Sequence, residues 1–329
     1  MYPFTYVRAA DISGAIGQAA QDPGVEFVAG GTDMLQLLKD DVRRPTRLVD
    51  LTALSGLSDV SSAASGGLRI GALARMADVA EHPEIRGSYP VISQALLASA
   101  SPQVRNMATI GGNLLQRTRC PYFRDVGTPC NKREPGSGCS AIGGENRMHA
   151  ILGGSDRCVA THASDLAVAL VALDAVVVTQ GTGGERRIPI ETFHLLPGET
   201  PDRENVLQPG ELIVAVEVPA SPFARRSLYR KVRDRASFEF ALVSVAVALD
   251  IDDDARVIRH ARVALGGVGT KPWRSHEAEQ ALVGAPLKQA SFEQAAARAL
   301  DGAKPLEQNR FKISLAQRTL SRALATVGA

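Results

Sequence analysis

A chain of 329 residues, 45% hydrophobic and 22% charged, is long enough for two or three globular domains. Its net charge of +2 excludes a polyelectrolyte that would gather nucleic acid through its overall field. The longest apolar runs, Leu166–Leu173 and Ala241–Leu249, fall far short of the roughly 18–20 residues that a membrane-spanning helix needs.

The N-terminus, Met1-Tyr-Pro-Phe-Thr-Tyr-Val-Arg, lacks a charged region followed by an apolar one. The expectation is a chain without an export signal of its own, synthesised in a reducing compartment. The first 55 residues read as strand, helix, strand, helix, strand. Asp11 can cap a helix whose apolar positions Ile12, Ala15, Ile16 and Ala19 recur at helical spacing. Val25–Ala29 is a short apolar run that breaks at Gly30-Gly31. Leu35, Leu37 and Leu38 mark a second short helix, and Arg47–Leu51 the strand that follows.

A second segment starts near Gly67 with a strand at Leu68–Ile70 and helical stretches over Met76–Ala80 and Ile92–Ala98. It continues with a helix at Asp165–Leu173 and strands at Ala175–Thr179 and Leu212–Val218. Pro219-Ala-Ser-Pro222 breaks regular structure and marks a boundary, giving domains 1–222 and 223–329. The third segment pairs strands Phe240–Ile251 and Ile258–Leu265 across the acidic turn Asp252-Asp-Asp254, and helices close the chain. In the last helix Ile313, Ala316, Leu320, Leu324 and Val327 form an apolar stripe, with Arg318 and Arg322 facing away.

Two glycine loops stand out. Ala29-Gly-Gly-Thr-Asp33 follows an apolar strand and precedes a helix, so its backbone can approach a ligand closely and turn N–H groups outward. The bland reading is a strand-to-helix turn capped by Thr32 or Asp33. Thr109-Ile-Gly-Gly-Asn113 repeats the arrangement after Ser101-Pro-Gln-Val-Arg-Asn-Met107. Two such loops suit a long ligand with a diphosphate at its middle. Neither fits the Gly-x-Gly-x-x-Gly fingerprint, and no Walker lysine follows, which disfavours Rossmann and P-loop sites.

The chain has four cysteines, Cys120, Cys130, Cys139 and Cys158, all within one Gly/Pro-rich stretch. Such a concentration argues that the thiols act on one object, either a metal centre or a pair of disulfides. The spacing matches neither a zinc finger nor a ferredoxin run, so it does not name the metal. Between residues 117 and 147 six basic residues (Arg117, Arg119, Arg124, Lys132, Arg133, Arg147) outnumber three acidic ones (Asp125, Glu134, Glu145). A cation surplus with N–H groups from Gly136, Gly138, Gly143 and Gly144 would stabilise an anionic cluster. The alternative is a solvated loop whose charges meet a partner. His149 and His162 lie near these cysteines and read as histidines satisfied locally. Gly266-Gly-Val-Gly269 reads as a strand-end turn, and Trp273 as packing.

The two glycine loops, followed by Ser164-Asp165, Glu211-Leu-Ile-Val-Ala-Val-Glu-Val-Pro219 and Tyr229-Arg-Lys231, resemble the FAD-binding subunit of the xanthine dehydrogenase family along essentially the whole chain. The resemblance implies an α+β fold: a vanillyl-alcohol-oxidase-like (PCMH-type) two-part FAD domain, with subdomains 1–55 and 56–222, then a small α/β C-terminal domain. It places Val28, Ala29, Gly30, Gly31, Thr32 and Asp33, with Ser101, Thr109, Gly111, Gly112 and Asn113, around FAD. Asp165, Ile213 and Lys231 would lie along the flavin and its nucleotide half.

The insert at about 117–160 resembles those of two family types that bind a 4Fe–4S cluster. These are the flavin subunit of bacterial periplasmic molybdenum aldehyde oxidoreductases and, more distantly, that of 4-hydroxybenzoyl-CoA reductase. Cys120, Cys130, Cys139 and Cys158 would be the ligands. The implied partners are a large molybdopterin-binding subunit, a small 2Fe–2S subunit and an external electron acceptor. No catalytic acid or base is expected in this chain, because aldehyde oxidation would occur on the large subunit. Co-export with a signal-bearing partner would place the complex in the periplasm, with the cytoplasm as the alternative. Rival expectations are a CoA-thioester reductase subunit and a zinc-stapled flavoprotein scaffold.

Overall fold

The structure, a computed structural model, describes residues 1–64 and 66–329. Three sheets divide the chain. The first is a parallel sheet in which Arg47–Asp50 lies between Thr5–Arg8 and Val25–Val28, with Thr5 and Val25 both opposite Arg47. Its crossover helix, Ile12–Gln21, starts where predicted: the Asp11 side chain accepts from the N–H of Gly14 at 2.7 Å, and Ala15, Ile16 and Ala19 are buried.

The second sheet has five antiparallel strands in the order Val60–Ser62, Gly67–Gly71, Leu212–Pro219, Val176–Gly181, Gly184–Pro189. Leu212–Pro219 is buried along all but its last residue, so the strands on either side of it are joined by chain that leaves the sheet altogether. That excursion carries the second glycine loop and all four cysteines.

The third sheet orders Trp273–Arg274, Val257–Gly266, Val243–Asp252 and Ser227–Val232. Side chains alternate across a strand, and here the alternation selects size. Val243, Val245, Val247 and Leu249 join the core under the C-terminal helices. Ala246 and Ala264 face the other way, into the core shared with the helix Asp165–Ala172. Small residues on that side let the helix, buried at all eight positions, lie close to the sheet. The strand expected from Phe240 starts at Val243 instead. Phe238 has φ +52 and Phe240 is exposed, so the chain is still turning there. The last helix spans Phe311–Val327; its stripe is buried as expected at Ala316, Leu320 and Leu324, and Lys312 is unexpectedly buried beside it. No helix among the described residues is long and apolar enough to cross a membrane.

Candidate functional site

The two glycine loops meet backbone to backbone. A Cβ on Gly30 would stand 1.9 Å from the carbonyl oxygen of Met107, so no larger residue permits the contact. Gly31 takes φ +69, a conformation that favours glycine, and its carbonyl accepts from Leu35 N at 3.0 Å to start the helix Met34–Lys39. Among the described residues none accepts a hydrogen bond from the N–H of Gly30, Gly31, Thr32 or Asp33, while Val28, Ala29 and this whole turn are only half-buried. Four consecutive free donors are a cradle that fits anionic oxygens.

The second loop is fixed from below. Gly111 N donates to Ala72 O at 2.8 Å and Ile110 N to Ala74 O at 3.0 Å, which pin the helix Ile110–Leu114 to the segment that follows the strand Gly67–Gly71. Thr109 caps that helix through Gly112 N at 3.3 Å. Asn113, buried, accepts from the Ser164 hydroxyl at 2.6 Å, and Ser164 in turn caps the helix Asp165–Ala172. Ser101 caps the short turn Pro102–Arg105 that leads into Met107.

Asp165 and Lys231 form a buried ion pair, Nζ to Oδ2 at 2.7 Å. Ser99 Oγ adds a hydrogen bond at 2.9 Å, and the Tyr229 hydroxyl donates to the other carboxylate oxygen. Burial, then the charge of Asp165, pushes the Tyr229 phenol well above its usual range. Lys231 also reaches Ala98 O at 3.2 Å, so this group braces the turn behind Ser101. Ile213 is 2% exposed and contributes to the core beneath the second sheet.

Asp33 has a different neighbourhood from the rest of its loop. Its carboxylate takes Arg119 and, at 2.8 Å each, Arg124 Nη2 and the backbone N–H of Arg117. Burial would raise its pKa, but the two guanidiniums outweigh that and hold it below the usual carboxylate range. The first glycine loop is thereby tied to the cysteine insert, and a bound anion there would not meet an unpaired carboxylate.

All four cysteines line one small pocket. Their placement follows from local bonds. Cys130 and Cys139 face each other in an antiparallel bridge, closed by Asn131, whose side-chain oxygen accepts from Gly136 N and Gly138 N at 3.1 and 2.8 Å. Cys158 N donates to Ser155 Oγ at 3.3 Å. None of the four is in a disulfide. Among the described residues no three Cys, His, Asp or Glu side chains converge to hold a single ion. A tetrahedral zinc would need all four sulfurs within about 2.3 Å of one point. Burial pushes Cys120 up to about 12 and raises Cys158. Both are therefore thiols at neutral pH, and a bound metal would have to displace their protons.

The expected cation surplus is mostly committed elsewhere, and of those residues only Lys132 lines the pocket among the cysteines. Arg119 and Arg124 pair with Asp33, Arg117 and Lys132 with Glu204, and Arg147 with Asp234. Arg133 donates to the carbonyls of Tyr122, Phe123 and Thr128. Gly136 and Gly138 likewise give their N–H groups to Asn131. Guanidiniums buried in a compact loop require acceptors, and nearby carboxylates and carbonyls supply them.

A histidine reaches one of the sulfurs. His149, read in sequence as locally satisfied, places Nε2 3.1 Å from Cys120 Sγ. Burial, then the charge of Lys312, lowers its pKa to about 4, so the ring is neutral. His162 and His194 stack edge to face at 4.3 Å in a second cleft between the end of the second glycine loop and the insert. Cys158 and Lys132 line both cavities. His149 is 29 positions from Cys120 and the histidines of the cleft are 32 apart, so no spacing rule marks either contact.

Residues 2–221 match the family model described as the FAD binding domain in molybdopterin dehydrogenase, and residues 227–327 the CO dehydrogenase flavoprotein C-terminal domain. Over 326 residues the chain is 49% identical to the aldehyde oxidoreductase FAD-binding subunit PaoB of Escherichia coli (strain K12), covering 99% of this chain and 98% of that one. Identity to the glyceraldehyde dehydrogenase medium chain of Sulfolobus acidocaldarius is 28% over 289 residues, covering 87% and 84%. Reconstituted CO dehydrogenase from Oligotropha carboxidovorans contains a chain of the same fold, with TM-score 0.78, 22% identity and coverage of 100% and 99%.

Proposed function

The chain belongs to the FAD-binding subunits of the molybdenum hydroxylase (xanthine dehydrogenase) family, with a PCMH-type FAD domain and a CO dehydrogenase-type C-terminal domain; from that premise we propose that it is the electron-transfer subunit of an aldehyde oxidoreductase and carries a 4Fe–4S cluster beside its FAD. As a medium subunit it works with a large and a small subunit. In our reading molybdopterin resides on the large one and 2Fe–2S centres on the small one. Substrate oxidation then takes place outside this chain, and electrons leave through it to an external acceptor.

FAD supplies a carrier that exchanges electrons in pairs or singly, which couples a two-electron oxidation to one-electron centres. What this chain adds is position. The free N–H groups of residues 30–33 would hold the diphosphate, and the contact of Gly30 with Met107 holds the two loops at one separation. Asp33, neutralised by Arg119 and Arg124, keeps the insert against that loop. Cys120, Cys130, Cys139 and Cys158 would supply the thiolates of the cluster.

The observation that carries this reading is that four thiols, spread over 39 residues, line one cavity without pairing or converging on a point. An anaerobic visible spectrum of the purified complex tests it, with iron, sulfide, zinc and FAD quantified on the same sample. Beyond what the small subunit's centres account for, about four irons per copy of this chain are expected. Those four should be absent from Cys139→Ser, while FAD is retained. Zinc in their place would leave a flavoprotein with a structural staple. We place the complex in the periplasm, carried by a signal-bearing partner, because of the insert's likeness to periplasmic aldehyde oxidoreductases. Recovery of the active complex only from the cytosolic fraction would refute that placement.

A further inference from the structure

His149 is 3% exposed, yet among the described residues its ring has a single polar contact, the sulfur of Cys120, and Nδ1 has no partner. A buried polar ring with one partner is costly where an apolar ring would pack as well, and such half-satisfied groups call for a functional explanation. The backbone beneath it is held with unusual care by the C-terminal domain. Lys312, fully buried, donates from Nζ to Met148 O, His149 O and Gly267 O at 2.9, 3.0 and 2.7 Å. Asn309 Nδ2 donates to His149 O at 3.2 Å. Asn146 and Gln308 exchange two hydrogen bonds, each of 3.0 Å, backbone N–H of one to side-chain oxygen of the other.

We propose that His149 donates its Nε2 hydrogen to the Cys120 sulfur and thereby raises the reduction potential of the cluster, with Lys312 and Asn309 as positioning residues that hold the ring in place. The proposal rests on the cluster reading above. Its direction follows from charge. A cysteine that ligates iron is a thiolate without a proton, so between it and an imidazole the only possible donor is the ring N–H. Adding an electron to the cluster puts more negative charge on its sulfurs. A hydrogen bond to one of them therefore stabilises the reduced state more than the oxidised one. Of the four ligands only Cys120 has a side-chain donor at its sulfur among the described residues; Cys158 has a longer backbone contact, from Ala160 N at 3.5 Å. The domain that closes the chain thus reaches the insert and acts on one ligand.

The test is an EPR-monitored redox titration of the whole complex as wild type, His149→Leu and His149→Gln, with iron and FAD counted in each sample. With the cluster's four irons present, His149→Leu should titrate at a lower potential than wild type. His149→Gln, whose amide nitrogen can occupy the place of Nε2, should restore most of the difference. Equal potentials for wild type and His149→Leu at full iron content would overturn the proposal while leaving the cluster reading intact. A wild type without the cluster's iron would remove both, and the iron count tells the two failures apart. Pulsed EPR of reduced wild type with ¹⁵N-labelled histidine needs no variant to fold. It should show one weakly coupled imidazole nitrogen, and its absence would equally overturn the assignment.

Discussion

Asp33 shows how one side chain can belong to two sites. It sits in a turn whose N–H groups have no acceptor among the described residues, but its carboxylate is engaged with Arg119, Arg124 and the backbone of Arg117. Its folded pKa lies below the ordinary carboxyl value near 3.9. The stability it contributes is therefore complete above that value and is lost as pH falls through the folded one. Between pH 5 and pH 2 the wild type should lose thermal stability more steeply than Asp33→Asn, whose amide has no proton to gain. Equal slopes would mean that the pairing with the insert adds nothing. The Ala-Gly-Gly-Thr-Asp sequence makes the turn legible, because glycine pairs after a strand have few other uses. It does not reveal where Asp33 points, since its partners lie 84 to 91 residues away. The same holds for His149, read as locally satisfied, whose ring contact Cys120 lies 29 residues away, and for Lys312, whose acceptors Met148 O and Gly267 O lie 164 and 45 residues away.

At the scale of elements, the helix Asp165–Ala172 and the strand Ser227–Val232 are joined by one buried ion pair, Asp165 with Lys231. Removing one partner of a buried pair leaves the other uncompensated, at a cost of about 3–5 kcal/mol. Asp165→Ala should lower the denaturation midpoint accordingly, and Asp165→Leu combined with Lys231→Met should recover much of the loss. A double variant as unstable as the single would contradict that account. The helix itself was legible from its unbroken apolar run, as were Ile12–Gln21 and the long hairpin of the third sheet. The strands Gly184–Pro189 and Ser227–Val232 were not, because Glu185, Arg186 and Arg187 in the one and Arg230 and Lys231 in the other interrupt any apolar run. The insert contains almost no regular structure beyond Pro121–Arg124; cysteine spacing announced it, and side-chain bonds such as those of Asn131 and Arg133 shape it.

At the scale of the whole molecule, three sheets bring two would-be cofactor sites into one body, with the insert between the glycine loops on one side and the C-terminal domain on the other. Asp33 ties it to the first and Lys312 to the second. In the reading proposed above the flavin lies against the glycine loops, and a cluster among the cysteines would distinguish this chain from a plain flavin carrier. An anomalous difference map from a crystal of the complex, collected on both sides of the iron edge, tests that distinction most directly. The account predicts a compact four-iron peak enclosed by Cys120, Cys130, Cys139 and Cys158, present above the edge and much weaker below it. A single peak at the zinc edge, or no anomalous density among the four sulfurs, would contradict it.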